Sequence, residues 1–63
     1  MQLVVNGESK DYNINDLQSL LDHLDIKAET VVVEKNGQII ARKTNCQLAD
    51  GDKLEIVRFV GGG

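Results

Sequence analysis

The chain contains no proline, one cysteine, one histidine and fewer basic than acidic residues. Each scarcity closes a class of explanation. Without proline, nothing breaks a strand or a helix from within. A lone cysteine cannot close an internal disulfide, the usual staple of a small secreted domain. Seven Lys and Arg against ten Asp and Glu leave a net charge of −3, so the basic footprint of a nucleic-acid binder is missing. No apolar run approaches the roughly 18 residues of a membrane span. The first residues lack the charged, then apolar, then small-residue order of a secretory signal. No CxxC, HExxH or glycine-rich phosphate loop is present. At 63 residues there is one domain. Such a domain buries only about 60% of the surface its unfolded chain exposes, too little for a deep substrate cavity with a catalytic apparatus. The expectation is a soluble, acidic, cytoplasmic module that binds neither nucleic acid nor membrane.

What is present reads as alternating strands, one helix and three turns. Leu3 and Val5 share one face of a first strand, Gln2–Val5, and Gln2 and Val4 the other. Asn6-Gly7 accepts the positive φ of a type I′ hairpin turn. The returning strand, residues 8–12, is polar and belongs at a sheet edge. Ile14, Leu17, Leu20, Leu21 and Leu24 then recur at helical spacing, which predicts an amphipathic helix over residues 16–24. Asn15 and Gln18 form a capping-box pattern before it, and Asp16 suits the positive end of the helix dipole. The β-branched run Thr30–Val33 begins a strand to Lys35 with apolar neighbours on both faces. Asn36-Gly37 repeats the hairpin signal, and residues 38–43 return. Residues 44–49 are irregular. Asp50-Gly51-Asp52 is a turn, and a last strand runs over residues 53–60. In it Leu54 and Ile56 point one way, Glu55, Val57 and Phe59 the other. A helix on one face of a mixed sheet buries these stripes most simply.

Candidate chemistry is sparse. His23 stands near Asp22 and Asp25, but one imidazole and two carboxylates at these spacings make a poor metal-ligand set. The simpler reading is a solvated helix end. Cys46 has uncharged neighbours, Asn45 and Gln47, that would not activate a thiol, and reads as a small half-buried filler. The dispersed acidic residues serve solubility. The C-terminus carries more information. Gly61, Gly62 and Gly63 follow the last strand. Three extended residues reach roughly 10 Å, and without side chains they fit a channel too narrow for other sequences. The terminal carboxylate sits at the tip. A frayed end accounts equally for the composition of this segment.

The hairpin–helix–hairpin–strand order, the Asp50-Gly51-Asp52 turn and the ending Ile56-Val57-Arg58-Phe59-Val60-Gly61-Gly62-Gly63 together resemble the ThiS family over the whole chain. The di-glycine end is common to the wider superfamily. The short length and the Phe-Val-Gly-Gly-Gly ending favour the thiamine branch. The resemblance implies a β-grasp, ubiquitin-like α+β fold: a mixed sheet of four to five strands with one helix on one face, over residues 1–60, and a flexible tail over 61–63. It implies a sulfur carrier in the making of the thiamine thiazole, not an enzyme. Gly63 would be the adenylated residue that becomes a thiocarboxylate, with Gly61 and Gly62 as its thread. No cofactor would reside in the chain; ATP and Mg²⁺ would be used by a ThiF-like adenylating enzyme. Sulfur would arrive by a cysteine desulfurase route and leave to a ThiG-like thiazole synthase. Val57 and Phe59, left on the face away from the helix, are the expected docking patch, with Arg58 a charged contact at its rim. Three alternatives stand beside this reading: the small subunit of molybdopterin synthase, a ubiquitin-like modifier of lysines, and a binding module with an idle tail.

Overall fold

The computed structural model describes residues 1–41 and 44–58. Strand β1 (Gln2–Val5) turns into β2 (Glu8–Asp11), helix α1 (Leu17–His23) follows, and a 3-10 turn at Ala28–Thr30 leads to β3 (Val31–Lys35), β4 (Gln38–Ile40) and β5 (Lys53–Arg58). The five strands form one sheet in the order β2-β1-β5-β3-β4. The two hairpins are antiparallel, β3 is antiparallel to β5, and β1 runs parallel to β5. This is the β-grasp arrangement that the resemblance implies.

Both Asn-Gly dipeptides make the turn their chemistry favours. Asn6 and Gly7 have φ of 49° and 85°, and Asn36 and Gly37 have 52° and 86°. Those positive values define the I′ geometry that matches the right-handed strand twist. β2 is exposed along its whole length, as an edge strand of charged and polar residues should be. The returning strand stops at Asp11, one residue short of the expected end, and Tyr12 turns inward to a buried position. β3 starts at Val31, because Thr30 belongs to the 3-10 turn. Val31 and Val33 are buried and Val32 is half-buried, so the strand is covered fully on one face only.

The core lies between the sheet and α1. Leu3, Val5, Val31, Val33 and Leu54 come from the strands, Leu17, Leu20 and Leu21 from the helix, and Tyr12 and Leu48 from the connections. Ile14 and Leu24 pack at its margin, which completes the helical stripe. The cleft between α1 and β3–β4 encloses about 20 Å³.

The helix start differs from the expectation. Asp16, not Asn15, is the N-cap residue, and Gln18 does not reach back; its amide donates to Asp22 Oδ1 at 3.0 Å. The exposed N–H groups of the first turn are met from elsewhere in the chain. Leu17 N–H donates to the Cys46 carbonyl at 2.9 Å, and Gln18 N–H donates to Asn45 Oδ1 at 2.8 Å. Asn45 Nδ2 then donates to Asp16 Oδ2 at 2.8 Å. A local capping box was unnecessary because the irregular segment after β4 lies across the helix end.

β5 is held at its start by both neighbours. Gly51 N–H donates to the Gln2 carbonyl at 2.7 Å, and Gln2 N–H donates to Asp50 Oδ1 at 2.6 Å, so the Asp50-Gly51 turn sits on the first residues of β1. On the other side Asn36 N–H donates to the Lys53 carbonyl at 2.8 Å, while Asn36 Oδ1 accepts from Lys53 N–H at 2.9 Å. Asn36 Nδ2 donates to Asp52 Oδ1 at 2.9 Å.

Candidate functional site

The site is the far end of the strand that precedes the terminal glycines. β5 is the middle strand of the sheet, with β1 and β3 as neighbours. Leu54 is 1% exposed and Ile56 is half-buried against the core, so the inward face is fixed by packing. Along the β3 edge the pairing continues to Val31 opposite Arg58. Along the β1 edge the register pairs Val4 with Lys53 and Val5 with Leu54, after which β1 turns away. Asn6 carries that edge further. Its N–H donates to the Leu54 carbonyl at 2.9 Å, its Oδ1 accepts from Ile56 N–H at 2.7 Å, and its Nδ2 donates to the Ile56 carbonyl at 3.3 Å.

The outward face of β5 has a different character. Val57 is 56% exposed and lies opposite Val32. Glu55 lies directly opposite Glu34, two like charges on adjacent strands, which disfavours the free sheet. Ile39, on β4 opposite Glu34, is 71% exposed. Arg58, which shares the side of Leu54 and Ile56 and lies opposite Val31, is exposed where the described strand ends. Of the expected docking residues, Val57 and Arg58 therefore stand at the surface; Phe59 lies outside the described residues. So do Gly61, Gly62 and Gly63, and the end of the strand expected at Val60. β4 itself ends at Ile40, short of the expected residue 43: Ala41 is already outside the strand, and residues 42–43 lie outside the described residues.

The remaining candidates separate cleanly. His23 is exposed at the helix end, and its ring meets the Tyr12 ring edge-on with centroids 5.8 Å apart. Among the described residues no group of His, Cys, Asp and Glu is placed to hold a metal ion. Cys46 is a free, half-buried thiol packed against the core, and its carbonyl serves the helix start. Two carboxyls are held below the usual aspartate range. The Ser19 hydroxyl and then the Asn45 amide act on Asp16; the Asn36 amide, the Ala49 N–H and the Lys35 ammonium act on Asp52. The second asparagine role, at Asn6, was not visible in the sequence. An Asn-Gly turn accounts for that residue completely without any side-chain partner.

The profile of the ThiS family matches residues 3–63. The chain belongs to the ThiS family. Among solved structures, the thiamine biosynthesis protein ThiS from Geobacter metallireducens superposes with a TM-score of 0.71 at 35% identity, over 100% of both chains. The sulfur carrier protein ThiS of Bacillus subtilis is 41% identical over 49 residues, 75% of this chain and 74% of that one. A thiazole synthase of Paramagnetospirillum magneticum is 42% identical over 66 residues. That match takes in 100% of this chain but spans only 20% of the synthase. A ThiS-like module thus forms part of a protein named for the synthase. In this ThiS-family chain the family match runs through the terminal glycines to residue 63.

Proposed function

We propose that this ThiS-family chain is a sulfur carrier of thiamine biosynthesis that works through the carboxyl group of Gly63. The observation that carries the reading is the union of fold and end: a β-grasp domain whose middle strand leads to the glycines, with a family match that includes them. A carboxylate is a poor electrophile because its charge repels nucleophiles. A ThiF-like enzyme overcomes this with ATP and Mg²⁺: a Gly63 oxygen attacks the α-phosphorus, pyrophosphate leaves, and an acyl adenylate forms. The terminal sulfur of a persulfide, loaded by a cysteine desulfurase, attacks the acyl carbon and expels AMP. A thiol then cleaves the remaining S–S bond and leaves the thiocarboxylate. A ThiG-like thiazole synthase takes the sulfur, a partnership supported by the synthase relative that contains a ThiS-like segment. The chain is co-substrate in this scheme, and catalysis belongs to its partners in the cytoplasm.

Gly61 and Gly62 are the thread that enters the partner's site. Val57, Arg58 and Phe59 form the docking patch at its base, and the exposure of Val57 supports that role. The paired Glu34 and Glu55 carboxylates beside it suit a partner with basic groups, which would relieve their repulsion.

The test is the intact mass of the protein after incubation with the adenylating enzyme, ATP and a persulfide source. The expected gain is that of one oxygen replaced by one sulfur, lost when Gly63 is deleted. An unchanged mass with an enzyme shown to be active overturns the reading.

A further inference from the structure

Asn6 does more than turn the first hairpin. In a regular parallel ladder, every second residue of one strand offers its N–H and C=O to a given neighbour, in evenly spaced bonds. β1 supplies such groups to β5 only as far as the Asn6 N–H, which donates to Leu54. The chain then reverses into β2. At the next step along β5, the Asn6 side-chain amide takes the place of the missing peptide group. Its carbonyl oxygen accepts from Ile56 N–H at 2.7 Å, and its NH₂ donates to the Ile56 carbonyl at 3.3 Å. Both halves of one amide are used on one residue. Ile56 is two residues before Arg58, the last described residue of β5.

The choice of asparagine carries the inference. A type I′ turn accepts Asn, Asp or Gly at this position. Only asparagine offers a donor and an acceptor together. Glycine offers neither, and an aspartate would turn an acceptor toward the Ile56 carbonyl. We propose that Asn6 is a positioning residue for the C-terminal reaction: it extends the β1 edge of β5 and fixes the direction in which the strand delivers the terminal glycines to a partner's active site. This role rests on the carrier reading above. Asn36 is the built-in control. It makes a similar backbone-mimicking contact, but to Lys53, at the start of β5.

The experiment compares wild type with Asn6→Gly, Asn6→Asp and Asn36→Gly, using the full chain, a ThiF-like adenylating enzyme, ATP and a persulfide source, at a temperature where urea melts show every variant folded. A positioned end acts on turnover and leaves docking intact. Asn6→Gly and Asn6→Asp are expected to lower kcat for thiocarboxylate formation about 3–10-fold with KM for the carrier unchanged, the scale of one net hydrogen bond. Amide exchange at Ile56 should accelerate by a similar factor in Asn6→Gly. Asn36→Gly should lower the urea midpoint yet keep the wild-type kcat. Wild-type kcat in Asn6→Gly, or an equal loss in Asn36→Gly, overturns the positioning role alone. A wild-type chain that is never acylated overturns the carrier reading, and this role with it.

Discussion

Asp52 shows how much a single side chain settles at the head of β5. Its Oδ1 accepts from Asn36 Nδ2 at 2.9 Å and its Oδ2 from Ala49 N–H at 2.8 Å. These donors favour the charged form, so its folded-state pKa lies below the ordinary aspartate value of about 3.9. The unfolded chain therefore binds its proton first as pH falls. The contribution to stability is complete above the ordinary value and is lost as pH drops through the lowered folded value. Asp16 behaves in the same sense through Ser19 and Asn45. Asp52→Asn should unfold at lower urea than wild type at neutral pH, and the gap should narrow as pH falls below the ordinary aspartate range. Urea midpoints across that range measure it. A gap of constant size would show that the charge of Asp52 contributes nothing.

The helix is the element that most needs its surroundings. Seven residues are too few to hold a helix in water alone. Its buried face, a start met by Asn45 and Cys46, and a locally capped end hold it. At the C-terminus, Ile26 N–H donates to the Leu21 carbonyl at 2.8 Å and Asp25 N–H to the Asp22 carbonyl at 3.1 Å. That is the Schellman pattern, which places Asp25 in the left-handed region at φ 59°. A glycine suits that conformation better, and removing a carboxylate from the negative end of the helix helps too. Asp25→Gly should add about 0.5–1 kcal/mol and raise Tm by roughly 2–8 °C. Asp25→Ala should melt below Asp25→Gly, since alanine sheds the same carboxylate but resists the positive φ that glycine accepts. A thermal melt in which Gly falls at or below Asp sinks the argument. The same element shows what was legible in the sequence. The Leu stripe and both Asn-Gly turns were readable because periodicity and turn chemistry act over a few residues. The Asn45 contact to Gln18, across 27 positions, was not, because nothing local marks it. Nor was the dual use of Asn6, since the turn alone explains the residue. The helix side of β5 was readable from alternation, and the parallel pairing with β1 only as a condition on topology.

At the scale of the molecule, the two faces of β5 differ. Its inner face packs Leu54 and Ile56 into the core; its outer face leaves Val57 exposed. The difference predicts that mutations on alternate residues fail in different ways. Leu54→Ala leaves a cavity beneath the middle strand and should cost about 2–5 kcal/mol, much of what so small a domain possesses. Far-ultraviolet circular dichroism in urea would report that loss. Val57→Thr keeps the branched Cβ that a strand favours and removes only an exposed apolar surface. Its stability should stay within about 0.5 kcal/mol of wild type. If Val57 docks the adenylating enzyme, KM for the carrier should rise about 3–10-fold while kcat holds, the effect of losing one modest interface contact. That is the reverse of the split expected from the positioning role proposed for Asn6. An unchanged KM in a stably folded Val57→Thr would remove the outer face of β5 from the docking surface and leave recognition to the residues that follow it.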